Sequence, residues 1–545
     1  MAKKRLPTAL WLSLILLLAA GLRLQHLRAD PPRLLATLEG SAGIYFDEGI
    51  YSHNARNKLL FGTWVSDEWN PYIYNAPLTG IYYLAFEIGG ISIATVKVMT
   101  IIFGLVGLIV FFLSVRDRSG RKAALALTLL FSLNYYWLMY NRIGLLENFA
   151  ALCCLISFYF FGHGRERAAF MFAAGFFVAL TVMSKYLFAY FLIAATIAVL
   201  YQAWRDRRWR QALYYGIGMT VPWLAWLAAI YLPNVGVFAK ISRSWGLQSL
   251  PHSIDQALAN LATNPLPKFM GLMPLEFILV LVFAGMFIAA FFRKPAAWPE
   301  ARDVFVFLWL IGAILEMGIL SYRPLRYYLP LMPAIYLAIS RLAITPPAKS
   351  PALWERLLAG LMIVLLAFAC KPFFLGLVRS PSSFFVFPAV WRIILLLALV
   401  CILILVMEGK PKWQHHGRIG LAVVMAATAT FLYHAHFYRH PVYNLEIASD
   451  FIKTLPPQTT LLGQEAPRLA LETPFHTLMA YEGWFNDEDS FSRYRPTHVI
   501  VLDKFQRAEF AWLERRFPAE TRRLRLVRRF WVWDSTLSLY RVTSP

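Results

Sequence analysis

Charge is what this chain has least of. Only 15% of its 545 residues are Asp, Glu, Lys or Arg, and 59% are hydrophobic. Soluble proteins average roughly 25% charged and 45–50% apolar residues, so a large soluble enzyme is excluded: too little polar surface exists to cover the apolar mass. Cysteine is nearly absent. Cys153, Cys154, Cys370 and Cys401 all fall inside or at the ends of apolar segments, without metal-ligand company or a large polar loop in which a disulfide would form. Packing is their expected role. No GxxxxGK[ST] run occurs, and Gly89-Gly90 is no nucleotide cradle. Internal repeats, low-complexity tracts and the inverted symmetry that marks many transporters are also missing. Acid is scarcer than base, 31 residues against 53, for a net charge of +22. In a polytopic membrane protein such an excess reflects basic cytoplasmic loops and attraction to anionic headgroups. The lipid bilayer is the expected environment, and no nucleic-acid partner is expected.

What the chain has in abundance is apolar runs of the length a bilayer requires, about 17–25 residues. They lie near 8–27, 93–115, 122–140, 148–163, 168–184, 187–203, 212–233, 273–292, 303–320, 326–343, 354–370, 386–407 and 418–436, which makes about 13 transmembrane helices. The start, Met1-Ala2-Lys3-Lys4-Arg5 and an apolar run, has the form of a signal peptide without a convincing cleavage site, so it reads as a retained signal anchor. The turns carrying Arg116 to Lys122, Arg165 to Arg167, Arg205 to Arg208, Arg293-Lys294, Arg341 to Arg356 and Lys410 to Arg418 then fall on one side. Every second loop is basic, as the positive-inside rule requires. The expected location is the bacterial cytoplasmic (inner) membrane, multi-pass.

The opposite, periplasmic face receives the long loops 28–92 and 234–272 and the tail. The expected organisation is a transmembrane region 1–436 and a small soluble extracytoplasmic α/β domain 437–545. In the tail, Thr460-Leu461-Leu462, His498 to Leu502 and Leu537 to Tyr540 read as strands, and Ala508 to Arg516 as a helix. His434 and His436, two apart, face different sides of a helix and make a poor metal pair. Arg522, Arg523, Arg525, Arg528 and Arg529 read by default as a solvated basic face.

Four polar stretches fall on the outer face at a similar depth: Asp47-Glu48; Tyr140 to Asn148; Ser184-Lys185-Tyr186; and Ser321 to Tyr328. A charge at a helix end can snorkel, so each alone is more often an anchor than a site. Carboxylates and cations gathered on a face that should be poor in Lys and Arg are harder to dismiss. A phosphate leaving group needs fixed positive charge, for which Arg142, Lys185, Arg323 and Arg326 are candidates. A hydroxyl acceptor needs a base. Asp47 is the first choice, with Glu48 or Glu147 orienting the acceptor. Asp47, Glu48 and Glu147 are also the oxygen ligands a divalent ion would take, the one cofactor the pattern allows.

The run Asp47-Glu48-Gly49-Ile50-Tyr51-Ser52-His53-Asn54-Ala55-Arg56, with Gly62-Thr63-Trp64 and Asn75-Ala76-Pro77-Leu78, resembles the first outer loop of the GT-C glycosyltransferases, within them the protein O-mannosyltransferase and aminoarabinose (lipid A) transferase superfamily. Asn141-Arg142 to Glu147, Ser184-Lys185 and Arg326 to Pro333 are similar as well. The resemblance covers roughly the first 345 residues. It implies a GT-C fold and inverting transfer of a sugar from a polyprenyl-phosphate donor to a lipid, glycan or protein acceptor. Asp47 matches the catalytic aspartate. Glu147, with Arg142 beside it, matches an acidic position of the second outer loop. Lys185 and Arg326 match basic positions near the donor phosphate, and Tyr51, Arg56 and Asn75 belong to the substrate loop. One departure stands out: aminoarabinose transferases carry Lys where this chain has Asn75. The extra luminal repeats of protein mannosyltransferases are missing too, so the resemblance reaches the superfamily and neither branch. The rival reading is a transporter or flippase of lipid-linked sugars, which should carry charges or broken helices at the bilayer midplane. The spans here are nearly free of charge.

Overall fold

The computed structural model describes residues 7–241, 249–263, 265–291, 299–344, 411–502, 507–532 and 535–543. The expected spans 354–370 and 386–407, with Cys370 and Cys401, lie outside the described residues. In chain order the helices are α1 (Thr8–Leu24), α2 (Arg33–Glu39), α3 (Gly43–Phe61), α4 (Tyr72–Gly89), α5 (Ile93–Leu133), α6 (Tyr135–Tyr140), α7 (Leu146–His163), α8 (Ala168–Ser184), α9 (Ala189–Asp206), α10 (Trp209–Trp226), α11 (Val235–Ile241), α12 (Ile254–Ala262), α13 (Leu266–Leu272), α14 (Pro274–Phe291), α15 (Ala301–Ile319) and α16 (Met332–Ile344). Then come α17 (Pro411–Tyr433), α18 (Asn444–Ile452), β1 (Thr460–Leu462), α19 (Ala466–Leu469), β2 (His476–Leu478), α20 (Ser490–Tyr494), β3 (His498–Leu502), α21 (Arg507–Arg516), α22 (Pro518–Thr521), β4 (Leu524–Val532) and β5 (Ser535–Val542).

Among the described residues five helical stretches are long and apolar enough to cross a membrane: Ile93–Leu133, Leu146–His163, Tyr186–Asp206, Trp209–Ala239 and Gly420–Tyr438; Thr8–Leu24, Ala168–Ser184 and Pro274–Ile288 are shorter and equally apolar. This is a multi-pass membrane protein. The expected spans 93–115 and 122–140 are joined in α5, which Gly120 divides with a φ of 78°. The expected span 326–343 begins with a 3-10 segment, Leu325–Leu331, and becomes α-helical only at Met332. The loop expected at 28–92 is largely helical, holding α2, α3 and α4.

The basic turns meet at one end of the bundle. Arg118 pairs with Asp303 at 2.7 Å and Glu300 at 2.9 Å, Arg341 reaches Asp303 at 3.2 Å, and Arg208 donates to the Arg165 carbonyl at 2.9 Å. The other end is built around α3. Every residue of α3 from Ile44 to Asn57 is buried, although the helix carries Asp47, Glu48, Ser52, His53, Asn54, Arg56 and Asn57. A buried polar group without a partner costs several kcal/mol at most and about 1–3 typically, so the helix is surrounded by matched donors and acceptors. Asn54 donates to the Trp64 carbonyl at 2.6 Å, and Asn57 to Ser66 at 2.6 Å.

The tail forms a five-stranded sheet in the order β2-β1-β3-β5-β4. β1 runs parallel to β2 and β3; β5 is antiparallel to β3 and β4. Strands β2 and β4 were not legible in the sequence. One sheet face shares a continuous core with the helices, through Leu461, Ile500, Phe530 and Leu539. The other is covered by Trp512, Leu513 and Phe517. Several clasps bind the lobe to the first 60 residues, three of them at Asp30, Arg56 and Gly49. Asp30 accepts from the amides of Asn444 and Leu445 at the start of α18. Arg56 donates to the carbonyls of Leu471, Thr473 and Phe475 at 2.9, 2.6 and 2.7 Å. At Gly49 the α19 backbone comes so close that a Cβ would lie 2.2 Å from Arg468 Cα.

Gly49→Val therefore forces the lobe away from α3. Overpacking costs about 1–3 kcal/mol, so the expected outcome is a lowered thermal midpoint in detergent and faster proteolysis around 466–475. An unchanged midpoint would contradict the close contact.

Candidate active site

The site is assembled from four chain segments, each with a local reason for its shape. Asp47 lies in the first turns of α3. Gly43 leaves room for the pair: a Cβ there would stand 2.4 Å from Arg326 Nη2 and 2.9 Å from Asp47 Oδ1, so those side chains would have to shift. Glu147 lies in the first turn of α7, where the exposed amides of a helix start favour a carboxylate. Lys185 is the extended residue (φ −163°) between α8 and the 3-10 turn Tyr186–Phe188, so its side chain leaves the helical wall at the break. Arg326 follows Pro324, whose φ of −65° and ψ of 154° end the preceding loop before the 3-10 segment.

These side chains converge. Lys185 Nζ donates to Glu147 Oε1 at 2.9 Å. Arg326 Nε lies 3.2 Å from Asp47 Oδ2 and 3.8 Å from Glu147 Oε1. The 3.2 Å approach is off the hydrogen-bonding direction, since Asp47 Oδ2 and Arg326 Nε, like Glu147 Oε2, are buried without a hydrogen-bond partner. Lys185 also rests on the Tyr327 ring, 3.6 Å from its centroid. Burial pushes the Asp47 carboxyl up to about 6, with Arg326 pulling it down and Glu147 pushing it further up.

Sequence reasoning missed Glu39, at the end of α2. Its carboxylate takes the Arg326 guanidinium and backbone amide, the latter at 3.1 Å, and the hydroxyl of Tyr140. Tyr322 completes the frame, with its hydroxyl 3.1 Å from Arg326 Nη2 and 2.5 Å from Ser41 Oγ. The signal in the sequence was slight: one acid closing the mostly apolar run Leu34 to Leu38.

The remaining predicted residues sit elsewhere. Glu48 follows Asp47 by about 100° of helix rotation and points away. It accepts from Arg468 at 3.0 Å and the Gly144 amide at 3.1 Å, with Lys97 at 3.8 Å. Arg142 donates to the Leu22 and His26 carbonyls at 2.9 and 2.8 Å and lies 4.2 Å from the Phe437 ring centroid. Arg323 holds the Gly318 and Thr263 carbonyls at 2.7 and 3.1 Å. Arg56 belongs to the lobe clasp. Asn75 sits at the kink of α4 and accepts from Thr79 at 3.1 Å. Tyr51 is buried beside the cluster, its ring 6.4 Å from that of Trp69. With Glu48 turned aside, Asp47 and Glu147 are the two acids left for a divalent ion. They stand against two cations, and no group of three metal-ligating side chains assembles among the described residues. This set does not fit a resident divalent ion.

A buried carboxyl with a raised pKa thus stands beside two cations at the end of an apolar helical body, and the fold of this chain is of the GT-C class. Residues 77–231 match the family model described as dolichyl-phosphate-mannose-protein mannosyltransferase. That stretch holds Glu147 and Lys185 and excludes Asp47 and Arg326. The structure is similar to ArnT from Cupriavidus metallidurans bound to undecaprenyl phosphate, with a TM-score of 0.56 and 16% identity over 97% of this chain and 98% of that one. Apo ArnT from the same organism gives 0.56 and 17%, over 97% of each chain. The apo oligosaccharyltransferase of Archaeoglobus fulgidus gives 0.46 and 12%, over 92% of this chain and 71% of that one. A search of curated proteins by sequence returned no match.

Lys185→Met leaves Glu147 buried with only the longer contact to Arg326. Removing one partner of a buried pair costs about 3–5 kcal/mol. The expected result is a lower denaturation midpoint, partly restored by adding Glu147→Gln. A Lys185→Met protein as stable as the parent would show that the pair is not formed.

Proposed function

We propose that the protein is an inverting membrane glycosyltransferase. It moves a sugar from a polyprenyl-phosphate donor to a hydroxyl of a lipid, glycan or protein acceptor, on the extracytoplasmic side of the bacterial cytoplasmic membrane. The observation that carries this reading is the convergence of Asp47 and Glu147 with Lys185 and Arg326, at the end of the bundle opposite the basic turns. By the positive-inside rule those turns face the cytoplasm. The likeness to an ArnT bound to undecaprenyl phosphate supports a carrier of that class, and the mannosyltransferase model over 77–231 supports the transfer chemistry.

In the reaction the acceptor oxygen attacks the anomeric carbon as its proton passes to Asp47. The bond from that carbon to the phosphate oxygen breaks on the opposite face, and polyprenyl phosphate leaves with the electron pair. Arg326 and Lys185 receive the growing negative charge. The unpartnered Nε of Arg326 and the remaining N–H groups of Lys185 are the donors free to do so. Preorganised donors in a dry site stabilise such charge most when they need not reorganise, and Glu39 with Tyr322 fixes Arg326 in advance. Among the described residues, the charges Arg23, Lys97, Glu276 and Glu316 of apolar helices lie near helix ends and are held by protein partners: Arg23 by Asn141 at 3.2 Å, Lys97 by the Ala29 carbonyl at 3.1 Å, Glu276 by Asn134 and Tyr336 at 3.0 Å, and Glu316 by the Tyr190 amide at 3.0 Å. That disposition does not favour a transport path.

Asp47→Asn is expected to abolish transfer with normal insertion, since a general base contributes about 10²–10⁴-fold. Retention of more than about a tenth of the activity would remove it from that role. Because the base must be ionised, kcat/KM should fall as pH drops through about 6. A limb near the ordinary carboxylate value of about 4 would contradict the buried setting. Arg326→Ala should weaken donor binding, measured by titration with a polyprenyl phosphate; unchanged affinity would take Arg326 out of the phosphate site.

A further inference from the structure

Helix α12 is built inside out. Its polar side chains face the protein: Asn260 Nδ2 donates to the Ile319 carbonyl at 2.8 Å, and Gln256 Nε2 to Ser321 Oγ at 3.3 Å. Its apolar side chains face outward at i, i+4 and i+7, with Ile254 79%, Leu258 59% and Leu261 37% exposed. None of its residues is buried. Asp255 is its only charged residue. A surface helix in water shows the reverse arrangement, with apolar residues toward the core. The outward stripe therefore belongs in hydrocarbon.

The neighbours of α12 point the same way. It packs across the end of α15, whose outward face also carries exposed aliphatic residues, Ile311 at 36% and Leu315 at 51%. α15 covers the span 303–320 expected from the sequence, so exposed apolar side chains stand on both helices of this packed pair. Ser253 caps the start of the helix by accepting from the Gln256 amide at 3.1 Å. Arg323 closes the other end through the carbonyls of Asn260 and Thr263 and through Thr263 Oγ1 at 2.7 Å. Because that guanidinium also holds the Gly318 carbonyl at 2.7 Å, α12 is tied to the loop Leu320–Arg323. Arg326 is three residues further on.

We infer that α12 is an interfacial anchor. It lies in the plane of the bilayer surface with Ile254, Leu258 and Leu261 among the acyl chains, and holds the loop before Arg326 at a fixed depth. Amphipathic helices bind membranes in this way with their apolar face sunk about 5–10 Å. The partner is the bilayer itself.

The test is a nitroxide at Leu258→Cys in the full-length protein, with the native cysteines replaced, in carrier-free lipid nanodiscs. Accessibility to oxygen and to a water-soluble nickel chelate is read against Leu315→Cys on α15 and Arg515→Cys on the tail lobe. The expected result is an oxygen-to-nickel ratio close to that at 315 and well above that at 515. The same pattern is expected for Ile254→Cys and Leu261→Cys, which serve should Leu258→Cys misfold. A ratio like that at 515 would place α12 in water and overturn the inference. Exclusion of both probes would show another segment or a second copy covering the stripe, and would overturn it too. So would an oxygen-rich reading that appears only after a polyprenyl phosphate is added.

Discussion

The structure depends on one constraint: α3 carries ionisable and amide side chains from Asp47 to Asn57 and is surrounded by protein over that stretch. Removing an ion from water costs several kcal/mol even after relaxation, so each charged group on α3 needs a partner from another part of the chain. Glu48 takes Lys97 from α5 and Arg468 from α19. Arg56 takes the carbonyls of residues 471–475. His53 lies 3.4 Å from both Asp67 and Thr477. Asp47 alone is left incompletely satisfied, and that residue faces Arg326 and Lys185. Burial without a full set of hydrogen bonds makes that carboxylate more basic than an exposed one.

The same constraint explains why the tail lobe is bound so closely. It supplies the counter-charge for Glu48 and the carbonyls for Arg56, and it presses its backbone onto Gly49. The lobe therefore sets the position of the helix that carries Asp47, without itself reaching the cluster. Glu39 acts in the same sense on the cationic side, where one carboxylate ties the side chain and backbone of Arg326 to α2. Acid and cation are each fixed from behind, so their mutual position is set by the fold.

The multi-pass helical character was legible, because apolar length is a property of the chain itself. The convergence of Asp47, Glu147, Lys185 and Arg326 was also legible, as charges on a face that should be poor in them. Residue roles were less so. Asp47 and Glu48 are adjacent in sequence and about 100° apart on a helix, so they could not form a pair. Arg142 and Arg323 read as phosphate ligands, yet helix ends needed their donors more: backbone carbonyls leave no trace in a sequence. The stretch 43–57 reads as part of a loop because its burial is satisfied by polar partners, which hides the helical period. Strand β4 was hidden by its arginines, since an edge strand tolerates charge that a central strand does not.

The central claim is that the Asp47 cluster separates sugar from carrier. Mass spectrometry of the lipid-linked sugars in a deletion strain tests it most directly. The account predicts accumulation of one glycosylated polyprenyl phosphate and loss of one surface modification, both reversed by the wild-type chain and neither by Asp47→Asn. An unchanged pool of glycosylated carrier, or full reversal by Asp47→Asn, would contradict it.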